Sequence, residues 1–226
     1  MKIRVLGFVL SACTFLIGCQ NQPEKNDSQQ ANASKTEVAD AKKEKKFILF
    51  FGNSLTAGYG LDISEAFPAL VQEKIDSLGL PYTVINAGLS GETTASGSSR
   101  VEWVLREPAD IFILELGGND GLRGISTEET RKNLEEIIDK VRATNEDVKI
   151  VLAGMQIPPN MGEEYTSKFR VIYPELAESK NTSLIPFLLK DVGGIPDLNL
   201  PDGIHPTAEG HKIVAETVWE VLQPLL

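Results

Sequence analysis

Cysteine and histidine are scarce in this chain of 226 residues, with two of each. Cys13 and Cys19 both lie close to the N-terminus, so the body of the chain has no thiol pair for a disulfide or a Cys-based metal site. His205 and His211 alone make a poor ligand set, which argues against a metalloenzyme. No Gly-x-Ser-x-Gly occurs, which disfavours an α/β-hydrolase elbow. "GYG" lacks the G-x-G-x-x-G spacing and "GNSLTAG" lacks the P-loop lysine, so no phosphate-cradling loop is visible. Basic residues are in deficit as well, 22 Lys and Arg against 32 Asp and Glu. Such a balance repels phosphate backbones, and no aromatic-basic patch offsets it, so no nucleic-acid partner is expected. The N-terminal apolar run, residues 5–17, is too short for the ~20 residues a membrane-spanning helix needs.

That run has another use. Met1-Lys2-Ile3-Arg4 supplies a cationic start, and Leu16-Ile17-Gly18-Cys19 a small residue before a break, the pattern of an export signal. "LIGC" resembles the bacterial lipobox, which implies removal of residues 1–18 and acylation at Cys19. Residues 19–45 hold mostly Gln, Asn, Ser, Lys and Glu with almost nothing to bury, and read as a solvated tether. Loss of Lys2 and Arg4 leaves 20 basic and 32 acidic residues, a net charge of −12. The expectation is an exported protein, lipid-anchored to a bacterial membrane and facing the periplasm, whose folded part is residues 46–226.

Within that part, apolar β-branched runs alternate with helical patterns. "FILFFG" (47–52), "YTVINAG" (82–88), "DIFILELGG" (110–118), "VKIVLAG" (148–154) and "TSLIPF" (182–187) read as strands covered on both faces. Helical segments follow each of them. The clearest begins with Ser126 and Glu129 as a capping box and carries Leu134, Ile137, Ile138 and Val141 on one face. Such alternation predicts a parallel sheet between two helical layers, with ligands bound beyond the carboxyl ends of the strands.

The chemistry-bearing residues fall at that edge. Ser54 follows the first strand and needs a base to become a nucleophile. His205 sits in "PDGIHP", three residues after Asp202; Gly203 permits a sharp turn, and Pro206 keeps His205 extended and starts a helix. This spacing lets Asp202 hold one imidazole nitrogen while the other faces a serine. His211, on the following helix, is expected to be solvated or partly packed. Donors for an oxyanion are available in "NAGLSGETT", where Gly91 offers an unobstructed N–H, and in "LELGGNDGLRG", where Asn119 offers an amide. Each stretch alone reads equally well as a turn. Four at one sheet edge make a complete set.

The blocks "GNSLTAGYG", "NAGLSGETT", "ELGGNDGLRG" and "DGIHP", in this order, resemble the SGNH (GDSL) hydrolases, most of all the branch of bacterial arylesterases and multifunctional thioesterase/protease/lysophospholipase enzymes. The resemblance runs from about Lys46 to the C-terminus. It implies a three-layer α/β/α sandwich on a flavodoxin-like five-stranded parallel sheet, with no cofactor. It assigns Ser54 as nucleophile, His205 as base and Asp202 as its orienting acid, and it builds the oxyanion hole from Ser54 N–H, Gly91 N–H and the Asn119 side chain. It also likens residues 154–169 to a loop covering the acyl chain; Tyr59 and Leu61, which follow the serine, could line the same groove, with core packing the other reading of Leu61. One position departs: the motif's aspartate before the serine is Asn53 here, so a charge behind the nucleophile is missing and the pH dependence is in question.

The expected reaction is hydrolysis of carboxylic esters, aryl esters or lysophospholipids, through an acyl-enzyme. Thioesters are a weaker candidate, because CoA thioesters should be scarce outside the cytoplasm. The alternatives are a carbohydrate O-deacetylase of the same superfamily and a non-catalytic binding lipoprotein.

Overall fold

A computed structural model describes residues 45–106 and 109–226 of the chain. The export signal 1–18, the acylation site Cys19 and all but the last residue of the tether 19–45 lie outside the described residues.

The apolar runs form five parallel strands: β1 (Lys46–Gly52), β2 (Tyr82–Gly88), β3 (Ile111–Glu115), β4 (Lys149–Ala153) and β5 (Ser183–Ile185), in the spatial order β2-β1-β3-β4-β5. Neighbouring side chains of a strand point to opposite faces, and both faces of β1 are covered. Phe50 meets the edge of Phe67, in α2 (Phe67–Ser77). Phe51 packs on Phe112 and beneath Arg100, in α3 (Thr94–Val104). On the α3 side lie α5 (Thr127–Thr144) and α6 (Glu163–Lys180), packed in sequence; on the other, α7 (Ala208–Leu222) packs on α2. The result is the three-layer α/β/α sandwich.

Helix α5 has half of the capping box expected, the Ser126 hydroxyl accepting from Glu129 N–H at 3.1 Å with no return bond to the Glu129 side chain, and it buries Leu134, Ile137, Ile138 and Val141. Two strands are shorter than their apolar runs. β3 ends at Glu115 because Gly117, at φ +107°, turns the chain into the single turn α4 (Gly118–Leu122). β5 ends at Ile185 because Pro186 has no N–H for the ladder. Pro206 does not open the last helix. It sits ahead of Thr207, whose hydroxyl caps α7 at Gly210 N–H.

Register sets up the site. Gly52 of β1 lies beside Gly88 of β2 and Glu115 of β3, so three strands finish level with one another. Gly52 admits no side chain: a Cβ there would stand 2.1 Å from Thr56 Oγ1 and 2.5 Å from Glu115 Oε2.

Candidate active site

Ser54 is the first residue of the one-turn helix α1 (Ser54–Ala57), which leaves β1 through Asn53. The Asn53 side-chain oxygen accepts from Leu55 N–H at 3.0 Å, and Gly58, at φ +73°, ends the turn. A second tie comes from β2, where Asn86 Nδ2 donates to Thr56 O at 2.8 Å. Ser54 is thereby fixed at the carboxyl edge of the central strand and is mostly buried.

The partner comes from a distant loop. His205 Nε2 lies 2.8 Å from Ser54 Oγ, and His205 Nδ1 lies 2.7 Å from Asp202 Oδ2. An ionised carboxylate only accepts, so Nδ1 carries the ring proton and Nε2 is left as the acceptor for the serine hydroxyl. The other carboxylate oxygen, Asp202 Oδ1, accepts from Ile204 N–H at 2.9 Å and His205 N–H at 3.0 Å. Its bond to the imidazole and these two N–H groups hold the Asp202 carboxyl down to about 2. Gly203 makes the turn between them at φ +70°, and Leu200 N–H closes the loop on His205 O at 2.7 Å. Tyr59 packs at a tilt of 38° against the His205 ring, centroids 4.5 Å apart, rather than lining the neighbouring cavity.

Asn119 lies in α4 and lines the same cavity as Ser54 and His205. Its Nδ2 donates to Glu92 O at 3.0 Å, which orients the amide and leaves the second N–H free to donate elsewhere. Gly91, at φ +81°, precedes that carbonyl, in the turn after β2, and its own C=O accepts from Arg123. The structure therefore brings Ser54, His205, Asp202 and Asn119 into one cluster, with Gly91 one peptide from the Asn119 contact.

Three buried carboxylates underlie the cluster. Glu115 accepts from Asn53 Nδ2 at 2.7 Å, Asn53 N–H at 3.1 Å, Thr56 Oγ1 at 2.8 Å and Thr56 N–H at 3.3 Å. Burial pushes its carboxyl up to about 7, against the pull of those four donors. Position 53 itself carries no charge, and the carboxyl nearest to it behind the serine is Glu115, which burial makes harder to ionise. Asp120, in α4, accepts from Thr94 N–H at 2.9 Å and from the Thr94 hydroxyl; burial raises its carboxyl. Glu92 is held by Arg100 through two contacts of 2.6 Å, and Arg100 also donates to Ala87 O at 2.9 Å. These bonds join residues 8 to 62 positions apart, a pairing that residue types alone do not announce.

His211 is a further correction. It is only 1% exposed, its Nδ1 accepts from Phe67 N–H at 3.1 Å, and its ring stacks on Phe67. Burial, with the nearby His205, brings its imidazole down to about 4, so it stays neutral.

Beside Ser54 opens a cavity of about 440 Å³. Leu55, Leu122, Met155, Ile157, Phe187 and Leu189 form its apolar wall, and Asn53, Ser54, Asn119 and His205 its polar end. Residues 155–159 are part of this wall, while Leu61 is not. A serine hydroxyl bonded to an imidazole that a carboxylate orients, opening on an apolar cavity, can transfer an acyl group from an ester.

Comparison with known proteins agrees. Residues 50–213 match the model of the GDSL-like lipase/acylhydrolase family. The chain is 41% identical to the esterase TesA of Pseudomonas aeruginosa over 181 residues, 79% of this chain and 89% of that one. It is 37% identical to the thioesterase 1/protease 1/lysophospholipase L1 of Escherichia coli strain K12 over 180 residues, covering 79% of this chain and 84% of the relative. Among solved structures, that of TesA superposes with a TM-score of 0.77 at 39% identity, over 80% of this chain and all of the other. The psychrotrophic esterase EstA from Pseudoalteromonas sp. follows at 0.75 and 30% identity, over 80% of this chain and 98% of that one. With the fold, the family model and these relatives in agreement, the chain belongs to the GDSL-like (SGNH) lipase/acylhydrolase family of esterases.

Proposed function

We propose that the protein hydrolyses carboxylic esters of apolar acyl groups through an acyl-enzyme on Ser54. The observation that carries this reading is the pair of contacts at His205, 2.8 Å to Ser54 Oγ and 2.7 Å to Asp202, at the mouth of an apolar cavity. Ser54 Oγ attacks the ester carbonyl carbon as its proton passes to His205 Nε2, and Asp202 stabilises the imidazolium. The carbonyl oxygen becomes an oxyanion facing Ser54 N–H, Gly91 N–H and the free Asn119 N–H. Collapse breaks the bond to the alcohol oxygen, which leaves with the proton from His205. Water, deprotonated by His205, then attacks the acyl-serine, and the carboxylic acid departs as Ser54 recovers its proton.

The acyl chain occupies the cavity, whose volume of about 440 Å³ is in the ~300–1,000 Å³ range of small-molecule sites. Exposed Leu122 and Ile204 extend the apolar surface to its rim, which suits aryl esters and lysophospholipids. Relatives are named for ester, thioester and lysophospholipid hydrolysis. The protein works outside the cytoplasm, tethered by acylated Cys19 to a membrane and facing the periplasm, so oxygen esters are its substrates ahead of CoA thioesters. The "LIGC" junction and the polar stretch 19–45 support that placement. A Cys19→Ala variant is expected to leave the membrane fraction; retention there would remove the anchor.

The test of activity is hydrolysis of p-nitrophenyl esters from acetate to palmitate, wild type beside Ser54→Ala. Turnover is expected to favour acyl groups longer than acetyl, and to fall by about 10⁴-fold or more in the variant. A strong acetyl preference would point to an O-deacetylase, and equal rates in both proteins would remove Ser54 from its role. A folded wild type without turnover would leave a binding lipoprotein.

A further inference from the structure

Asn53 is the residue at which this chain departs from its family's name motif, and its side chain bonds into the turn that carries Ser54. Its backbone N–H and its side-chain amide both bind Glu115, while its side-chain oxygen accepts from Leu55 N–H, one residue past Ser54. Glu115 also holds Thr56 through its N–H and hydroxyl, so a single carboxylate grips both sides of Ser54.

We infer that Asn53 and Glu115 form a brace that positions Ser54 without needing a shared proton, and that the amide at position 53 keeps the esterase competent into the alkaline range. The inference rests on Ser54 being the nucleophile. Glu115 Oε1 is bound by the Asn53 amide at 2.7 Å, and an amide N–H donates to that oxygen whether the carboxyl is ionised or neutral. The family's aspartate would put a carboxylate oxygen at the same place. Two carboxylates at that separation resist ionising together, so near neutral pH one of them holds a proton. As pH rises that proton leaves, and repulsion inside a buried site drives the pair apart. Ser54 moves with it, and a misplacement of about 1 Å costs on the order of 10²-fold in rate.

Other groups around Glu115 do not supply the missing proton or a compensating charge. Tyr173, from α6, faces both Glu115 and Asp120, but its hydroxyl donates to Leu116 O at 2.9 Å, and burial keeps it protonated well above the usual phenol range. Asp120 is occupied by the N–H and hydroxyl of Thr94. From α1 only Thr56 bonds to Glu115, and His205 is reached only through Ser54. Among the described residues no lysine or arginine is ion-paired to Glu115.

The experiment is the ratio of kcat, variant to wild type, between pH 6 and 9.5, with Tm recorded over the same range. Taking the ratio cancels the titration of His205 and the chemistry of the ester. Asn53→Asp should lose between about tenfold and 10²-fold in the ratio as pH rises, with Tm falling over the same interval. The exchanged pair, Asn53→Asp with Glu115→Gln, restores one amide donor to one carboxylate, and its ratio should be flat again. A ratio for Asn53→Asp that stays flat, or an exchanged pair as pH-sensitive as the single variant, overturns the inference. Should Asn53→Asp not fold at any pH, the exchanged pair decides: folded with a flat ratio supports the brace, unfolded or pH-sensitive rejects it. A wild type without ester turnover sinks the reading of Ser54 instead, and the Tm profiles still report on the brace.

Discussion

The two halves of the site are built on different principles. Ser54 and Asn119 stand on buried polar clamps that join separate elements: Glu115 ties β3 to α1, Asp120 ties α4 to the start of α3, and Glu92 is locked by Arg100 within the α3 layer. Asp202 and His205 instead sit on a surface loop whose bonds are nearly all local, three or fewer residues apart within Asp202–His205. Buried hydrogen bonds to carboxylates are strong and leave a large penalty when one partner is lost. Exposed local turns contribute little to global stability. The serine side is therefore tied to folding, while the histidine side, if it carries the proposed chemistry, does so with little part in stability.

The sharpest way to break this comparison is Asp202→Asn. The remaining oxygen still accepts from Ile204 and His205 N–H, but the new amide donates to Nδ1 and forces the proton onto Nε2, where it faces Ser54. Activity should fall by about 10⁴-fold with Tm almost unchanged; Asp202→Ala, which imposes no tautomer, should lose less. Equal losses, or a large drop in Tm, would dissolve the distinction.

On the other side, Asn119→Ala removes the proposed oxyanion donor and should lower kcat by about 10²–10³-fold while leaving KM nearly as it was. An unchanged kcat would exclude the amide from the oxyanion hole. His211 tests whether the histidine side hides a stabilising element of its own. Its imidazole falls from about 6.5 in the unfolded chain to about 4 in the fold. Below pH 6.5 the unfolded chain binds a proton that the folded chain refuses, so stability is lost as pH falls to 4 and not further. The stability advantage of wild type over His211→Gln should therefore shrink by up to about 3 kcal/mol across that window. An advantage independent of pH would show that His211 carries no such penalty. The smallest effect is expected from Thr94→Val, which deprives buried Asp120 of its hydroxyl donor. Unfolding at pH 7 should become easier by about 1–3 kcal/mol, with kcat lowered less than tenfold. Intact stability there would mean that the Asp120 clamp is ornamental.

Much of this was legible in the residues themselves. Apolar runs bounded by Gly and Asn gave all five strands, because a parallel sheet buried on both faces writes its strands as continuous hydrophobic segments. The "PDGIHP" loop was readable because its bonds are local. The clamps were not, since Glu115 and Asn53 lie 62 positions apart and only the folded register brings them level. One signal was available: a glutamate closing the run "IFILE" has no business in a strand covered on both faces unless donors await it. His211 had its signal too. It shares a helical stripe with Val214, Ala215, Val218 and Leu222, and that spacing alone places it inward.

The cavity wall has a consequence for how such an enzyme diversifies. The polar groups of the cavity and the loop behind them come from residues 53–55, 119 and 202–205, while much of the apolar wall comes from 155–159 and 187–194. Sequence change can therefore be confined to the second set, reshaping which acyl chains are accepted while the reaction centre is left alone. A library limited to Phe187 and Leu189 would explore substrate range from the side of the wall away from α4, against which Met155 and Ile157 pack.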